Sequence, residues 1–155
     1  MKKTFLFLIA GLSSVQVYAE ESSLNLALGS FDASRSGSAM GQIEYAFATE
    51  WSGFKPHVGL FFTTDSAAYL YAGAGYQMDI NDKWSLTPSF SAGYYNQGAD
   101  TDLGNDAEFY SQLRLEYKLK KNTKIGLGIG HISNFELGDN NPGAETAYLS
   151  YRISM

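Results

Sequence analysis

The chain has no cysteine in its 155 residues, so whatever it folds into is held by packing and hydrogen bonds alone, without disulfides. It has no basic stripe: the formal charge is −5 and the acidic residues are scattered, which excludes nucleic acid as a partner. Beyond the N-terminal segment it has no apolar run approaching the about 20 residues that a membrane-spanning helix needs. No pair of His, Asp or Glu has zinc-site spacing, and the loop aspartates Asp100, Asp102, Asp106 and Asp139 do not form an EF-hand pattern, so neither a metal nor a cofactor is expected.

The first segment, "MKKTFLFLIAGLSSVQVYAE", has its own logic. Lys2 and Lys3 give a positive start, Phe5 to Leu12 a short apolar run, and Val17-Tyr18-Ala19 a small-residue cleavage pattern. The run is too short to cross a bilayer, so residues 1–19 read as a secretory signal and residues 20–155 as the mature domain.

What the sequence does have is 11 Tyr, 10 Phe and 16 Gly, with only 17% charged residues. Rich in aromatics and glycine and poor in helical pattern, this is the profile of a β-barrel. From Leu24 onward the apolar residues alternate with period two, and the alternation predicts eight strands over about 23–32, 39–50, 54–64, 67–80, 83–95, 107–119, 123–134 and 143–154. "WSGF", "NDK" and "KKNT" are tight turns, whereas "DASRSGS", "NQGADTDLGND" and "FELGDNNPG" are longer polar loops, with only the short "TTDS" breaking the contrast. Short turns at one end and long loops at the other predict an eight-stranded antiparallel transmembrane β-barrel of the Gram-negative outer membrane, with the turns and both termini in the periplasm. Trp51, Phe54 and Trp84 then fall at the periplasmic interface as aromatic anchors.

The sixth strand sorts the faces. Phe109, Leu113, Leu115, Tyr117 and Leu119 share one parity, and Glu108, Gln112, Arg114, Glu116 and Lys118 the other. In a membrane barrel the apolar set faces lipid and the charged set fills a narrow lumen, where Glu108, Arg114 and Glu116 are expected to pair. In the seventh strand Ile125, Leu127 and Ile129 alternate with Gly126, Gly128 and Gly130, so the glycines face inward and leave room for large side chains opposite.

The same parity carries His131 and Ser133 to the outer face, and the eighth strand brings Glu145 to it from the other side of one hairpin. Residues two apart on a strand lie about 6.6 Å apart on one face, and Glu145 is expected within about 4.5–8 Å of His131 as a cross-strand neighbour. A carboxylate orienting a histidine that deprotonates a serine is what nucleophilic acyl transfer requires. The competing reading is that all three are polar residues sitting among lipid headgroups at the outer rim. The other histidine, His57, follows Pro56 on the third strand with no polar neighbour in sequence, and no catalytic role is expected of it.

His131-x-Ser133-Asn134, followed by a loop containing Asn141 and then by Glu145 and "AYLSYRI", resembles the outer-membrane lipid A 3-O-deacylases of the PagL type. The resemblance is concentrated in this motif, and elsewhere it amounts to length, export signal and strand pattern. It implies an esterase that removes the acyl chain ester-linked at the 3 position of lipid A, with Ser133 as nucleophile, His131 as general base and then general acid, Glu145 as orienting carboxylate, and Asn134 and Asn141 at the oxyanion site. A loop glycine of the family pattern has Glu136 as its ungapped counterpart here, with Gly138 the substitute if the loop path differs. The chain also ends in Met155 where such barrels often end in Phe.

The implied partners are lipid A or lipopolysaccharide and the surrounding membrane, with a homodimer left open and the active site toward the outer leaflet. The alternatives are a non-enzymatic outer-membrane barrel acting in adhesion or envelope structure, a related acyltransferase or phospholipase, and a soluble lipocalin-like barrel.

Overall fold

The computed structural model describes residues 21–35, 37–138 and 140–155; the expected signal segment, residues 1–19, lies outside the described residues. Eight antiparallel strands form one sheet: β1 (Ser23–Phe31), β2 (Ser38–Ala46), β3 (Phe54–Thr63), β4 (Ala68–Tyr76, resumed after Gln77 by Met78–Asp79), β5 (Trp84–Asn96), β6 (Ala107–Lys120), β7 (Thr123–Ser133) and β8 (Ala144–Ser154). Each strand pairs with its sequence neighbours. The circle closes through β1 with β8, from Ser23↔Ser154 to Phe31↔Thr146, and β4 pairs with β5 in a register running from Ala68↔Asn96 to Gly75↔Ser89. Closure satisfies every edge, which a barrel must do wherever water is absent.

The strands fall within a few residues of where the alternation predicts them, except β2. It stops at Ala46 rather than near residue 50, because the chain leaves the ladder into a connection over residues 47–53 that turns back through a Trp51–Phe54 backbone pair. Ser52 and Gly53 both have positive φ there.

The outer wall is apolar. Leu28 is 74% exposed and Leu149 66% exposed, and Leu70, Leu127 and Ile129 are exposed with them, whereas Glu116 is fully buried at 0%. This inverts the pattern of a soluble sheet and excludes the lipocalin-like alternative, which would bury the apolar set. Trp51, Phe54 and Trp84 all point outward at the turn end, Phe54 against Tyr76 and Trp84 against Tyr117 with ring centroids 5.3 Å and 5.0 Å apart.

The interior has two layers. Toward the loops it is aromatic: Phe31, Phe61, Tyr69, Tyr95 and Tyr110 are buried together, and Tyr69 donates its hydroxyl to the Glu108 carbonyl oxygen at 2.8 Å. Toward the turns it is ionic, where Arg114 reaches across to Glu44 at 3.2 Å and lies 3.6 Å from Glu116, which also holds Arg152 at 3.0 Å. The expected pairing among Glu108, Arg114 and Glu116 is therefore half right. Glu108 sits in the aromatic layer, six residues along β6 from the arginine, and its carboxylate oxygens have no hydrogen-bond partner among the described residues.

The glycines of β7 face this interior. A Cβ on Gly128 would strike the Tyr148 ring, and one on Gly130 would crowd Tyr110 and Thr146. Large side chains opposite take the space the glycines vacate.

Candidate active site

Strand β7 delivers His131 and Ser133 to its outer face at the loop end, and the β7–β8 ladder pairs His131 directly with Glu145. On the other side, β6 pairs Ser111 with His131 and Phe109 with Ser133. The side chains of His131 and Glu145 are 52% and 58% exposed on the barrel wall.

The His131 Nδ1 stands 3.7 Å from Glu145 Oε1. With Nδ1 turned toward the carboxylate, Nε2 is the nitrogen left to face a hydroxyl. Gly143 guards that edge: a Cβ there would lie 2.7 Å from His131 Cε1 and 3.0 Å from Nε2, and its φ of +60° lies in the left-handed region that glycine adopts at least cost. Ser133 is half-buried, and its hydroxyl forms no hydrogen bond with another described residue.

Asn134 is completely buried. Its Nδ2 donates to the carbonyl oxygens of Leu103 at 2.8 Å and Asn140 at 2.9 Å, and its Oδ1 accepts the Glu136 N–H at 2.9 Å. The Asn134 N–H in turn donates to Asn141 Oδ1 at 3.1 Å. Asn134 thus ties the β7–β8 loop to the β5–β6 loop, and orients Asn141 so that its Nδ2 hydrogens remain to donate elsewhere. The Glu136 N–H is spent inside the loop.

Phe135 follows at φ +50° and Glu136 at φ +63°, two successive non-glycine residues in the left-handed region, which few side chains adopt without support. The support is aromatic: the Phe135 ring lies 4.9 Å from Phe109 and 6.2 Å from Phe90, making an apolar ledge beside Ser133.

The β1–β2 loop also reaches the site, a contact with no signal in the sequence. Asp32 N–H donates to the Glu145 carbonyl at 2.7 Å, Ser34 Oγ donates to Glu145 Oε2 at 3.2 Å, and Arg35 donates to the Gly143 carbonyl oxygen. Nothing periodic links position 34 to position 145, so no sequence signal could have joined them. His57, by contrast, turns into the lumen, where its Nε2 meets Ser91 Oγ at 2.8 Å and Glu44 at 3.9 Å, far from the outer wall. Among the described residues no group of three or more His, Asp or Glu could hold a metal ion.

A family model described as "Lipid A 3-O-deacylase (PagL)" matches residues 14–154. None of the curated proteins matches the chain in sequence. Among solved structures, the outer-membrane enzyme PagL superposes with a TM-score of 0.69 at 15% identity, covering 86% of this chain and 99% of that one. A de novo designed transmembrane β-barrel superposes at 0.66 with 9% identity, covering 89% of this chain and 98% of that one. Neisserial surface protein A superposes at 0.58 with 11% identity, covering 90% and 99%. At these identities the structural likenesses speak to the fold, an outer-membrane-type barrel, while the family match speaks to kinship.

Proposed function

The chain belongs to the PagL family of lipid A 3-O-deacylases, and from that membership we infer that it hydrolyses the acyl ester at the 3 position of lipid A through a serine nucleophile on its outer wall. The observation that carries this reading is the direct pairing of His131 with Glu145, Nδ1 to Oε1 at 3.7 Å, on the face that also bears Ser133.

In this reading Ser133 Oγ attacks the ester carbonyl while His131 Nε2 takes its proton, and Glu145 holds the imidazole in place and stabilises the imidazolium. The tetrahedral oxyanion accepts from Asn141 Nδ2, which Asn134 orients from below. Collapse expels the 3-hydroxyl of the sugar, protonated by His131, and leaves the acyl group on Ser133. Water, activated by the same histidine, then attacks the acyl-enzyme, frees the 3-hydroxy fatty acid and restores the serine.

The facing of the site suits such a substrate. The scissile ester of lipid A lies where sugar meets acyl chain, and the molecule diffuses laterally in the outer leaflet. A nucleophile on the wall at the loop end meets it at that depth, with Ile129, Leu127 and the Phe135–Phe109–Phe90 ledge offering apolar surface below and beside it. The long loops then face outward from the cell and the turns face the periplasm. A low-dielectric surround strengthens both the His131–Glu145 interaction and the oxyanion contact.

Purified protein in detergent, incubated with defined lipid A and followed by mass spectrometry, tests the assignment. The wild type is expected to release one 3-hydroxy fatty acid, and Ser133→Ala none. A non-enzymatic barrel would leave lipid A intact in both samples, and release of acyl chains from phospholipid instead would reassign the substrate.

A further inference from the structure

The carboxylate of Glu145 stands at the exposed end of a strand, where nothing on β8 itself fixes its rotamer. The β1–β2 loop does. Ser34 Oγ donates to Glu145 Oε2 at 3.2 Å, while Oε1 is the oxygen turned to His131. The two oxygens thereby face two partners, Oε2 hydrogen-bonded to Ser34 and Oε1 within ion-pair reach of His131.

The loop is itself built to hold that position. Asp32, fully buried at φ +51°, donates its N–H to the Glu145 carbonyl at 2.7 Å and accepts Arg35 N–H on its own carbonyl at 3.0 Å. Its carboxylate takes Arg35 Nε at 3.1 Å on Oδ1 and the Thr101 hydroxyl on Oδ2. Arg35 Nη2 continues to the carbonyl oxygens of Gly143 and, at 3.4 Å, Pro142. Ser34 is therefore carried between two residues bonded to the segment 142–145, Asp32 to the Glu145 carbonyl and Arg35 to those of Gly143 and Pro142. A surface serine on a free loop would have no such anchorage.

We propose that Ser34 is a positioning residue for the hydrolysis: its hydroxyl fixes Glu145 Oε2 so that Oε1 faces His131 Nδ1. This rests on the Ser133–His131–Glu145 reading above. Its consequence is that Ser34 acts on the chemical step and only through Glu145. Fixing a carboxylate ahead of the reaction removes a rotamer search from the approach to the transition state, and a hydrogen bond to an ionised acceptor is the stronger kind.

The test is a double-mutant cycle on folded protein, with folding checked by the shift in gel mobility between unheated and heated samples. Ser34→Ala is expected to lower kcat about 3–10-fold with KM unchanged, as suits one solvent-accessible hydrogen bond to a charged group. Ser34→Thr, which keeps the hydroxyl, restores the rate. In the Glu145→Ala background, measured at high enzyme concentration, Ser34→Ala has no further effect. A Ser34→Ala rate within twofold of wild type, or the same loss repeated without Glu145, overturns the proposal; the latter would mark a merely structural serine. Activity surviving in Ser133→Ala would instead overturn the triad reading itself, which is a separate outcome.

Discussion

Ser133, His131 and Glu145 share a face because a strand repeats every two residues and a hairpin carries that parity across to its partner. That is why these three were legible in the sequence, and the ladder pairs His131 and Glu145 directly. The roles assigned to them differ in weight. Under the proposed mechanism Ser133→Ala and His131→Ala are each expected to lower kcat by about 10³-fold or more, and Glu145→Ala by less, because in it nucleophile and base act as a unit while the carboxylate orients. Asn141→Ala should cost about 10²–10³-fold, the usual toll of losing an oxyanion donor. Rates of 3-hydroxy fatty acid release from lipid A check all four. Asn134 was legible only through the family motif, and its commitment to Leu103, Asn140 and Asn141 needed the fold, since it depends on a loop thirty-odd residues upstream. Ser34 was not legible at all.

Strand β7 shows what an element must do to carry such a site. Its central inward positions are Gly126, Gly128 and Gly130, and the interior beside Gly128 and Gly130 is filled by Tyr148 and Tyr110. Gly128→Val would drive a branched side chain into the Tyr148 ring, and overpacking of this sort costs about 1–3 kcal/mol. The variant is expected to show a smaller heat-shiftable fraction on a gel and a lower urea midpoint in lipid vesicles, whereas wild-type behaviour would mean the Tyr148 ring moves aside freely. The alternation that revealed β7 also revealed β6 and β8. It failed at the end of β2, where residues 48–50 still look strand-like but lie past the Phe47 N–H bond to the Pro56 carbonyl oxygen, because alternation reports which face a residue prefers and not where its backbone is paired.

The barrel as a body is inside out, apolar on its wall and filled within, and this much follows from parity combined with the uneven loop lengths. The interior was harder to read. Arg114 and Glu44 lie on strands that are not neighbours, so no local pattern could pair them, and the separation of an aromatic layer from an ionic one emerges only on closure. The wall makes a prediction: Leu127→Arg, in the middle of β7 on the exposed face, should destabilise the barrel in a bilayer by about 2–4 kcal/mol, as an arginine near the midplane does. Urea titration in vesicles measures it, and a negligible change would place Leu127 outside the hydrocarbon. The claim that matters most is that Ser133 acts on lipid A from this wall. Mass spectrometry of lipid A from cells expressing the wild type or Ser133→Ala tests it most directly. The account predicts a lipid A lacking one 3-hydroxyacyl chain from the 3 position with the wild type alone. Unmodified lipid A with both proteins, or the shortened species with both, would contradict it.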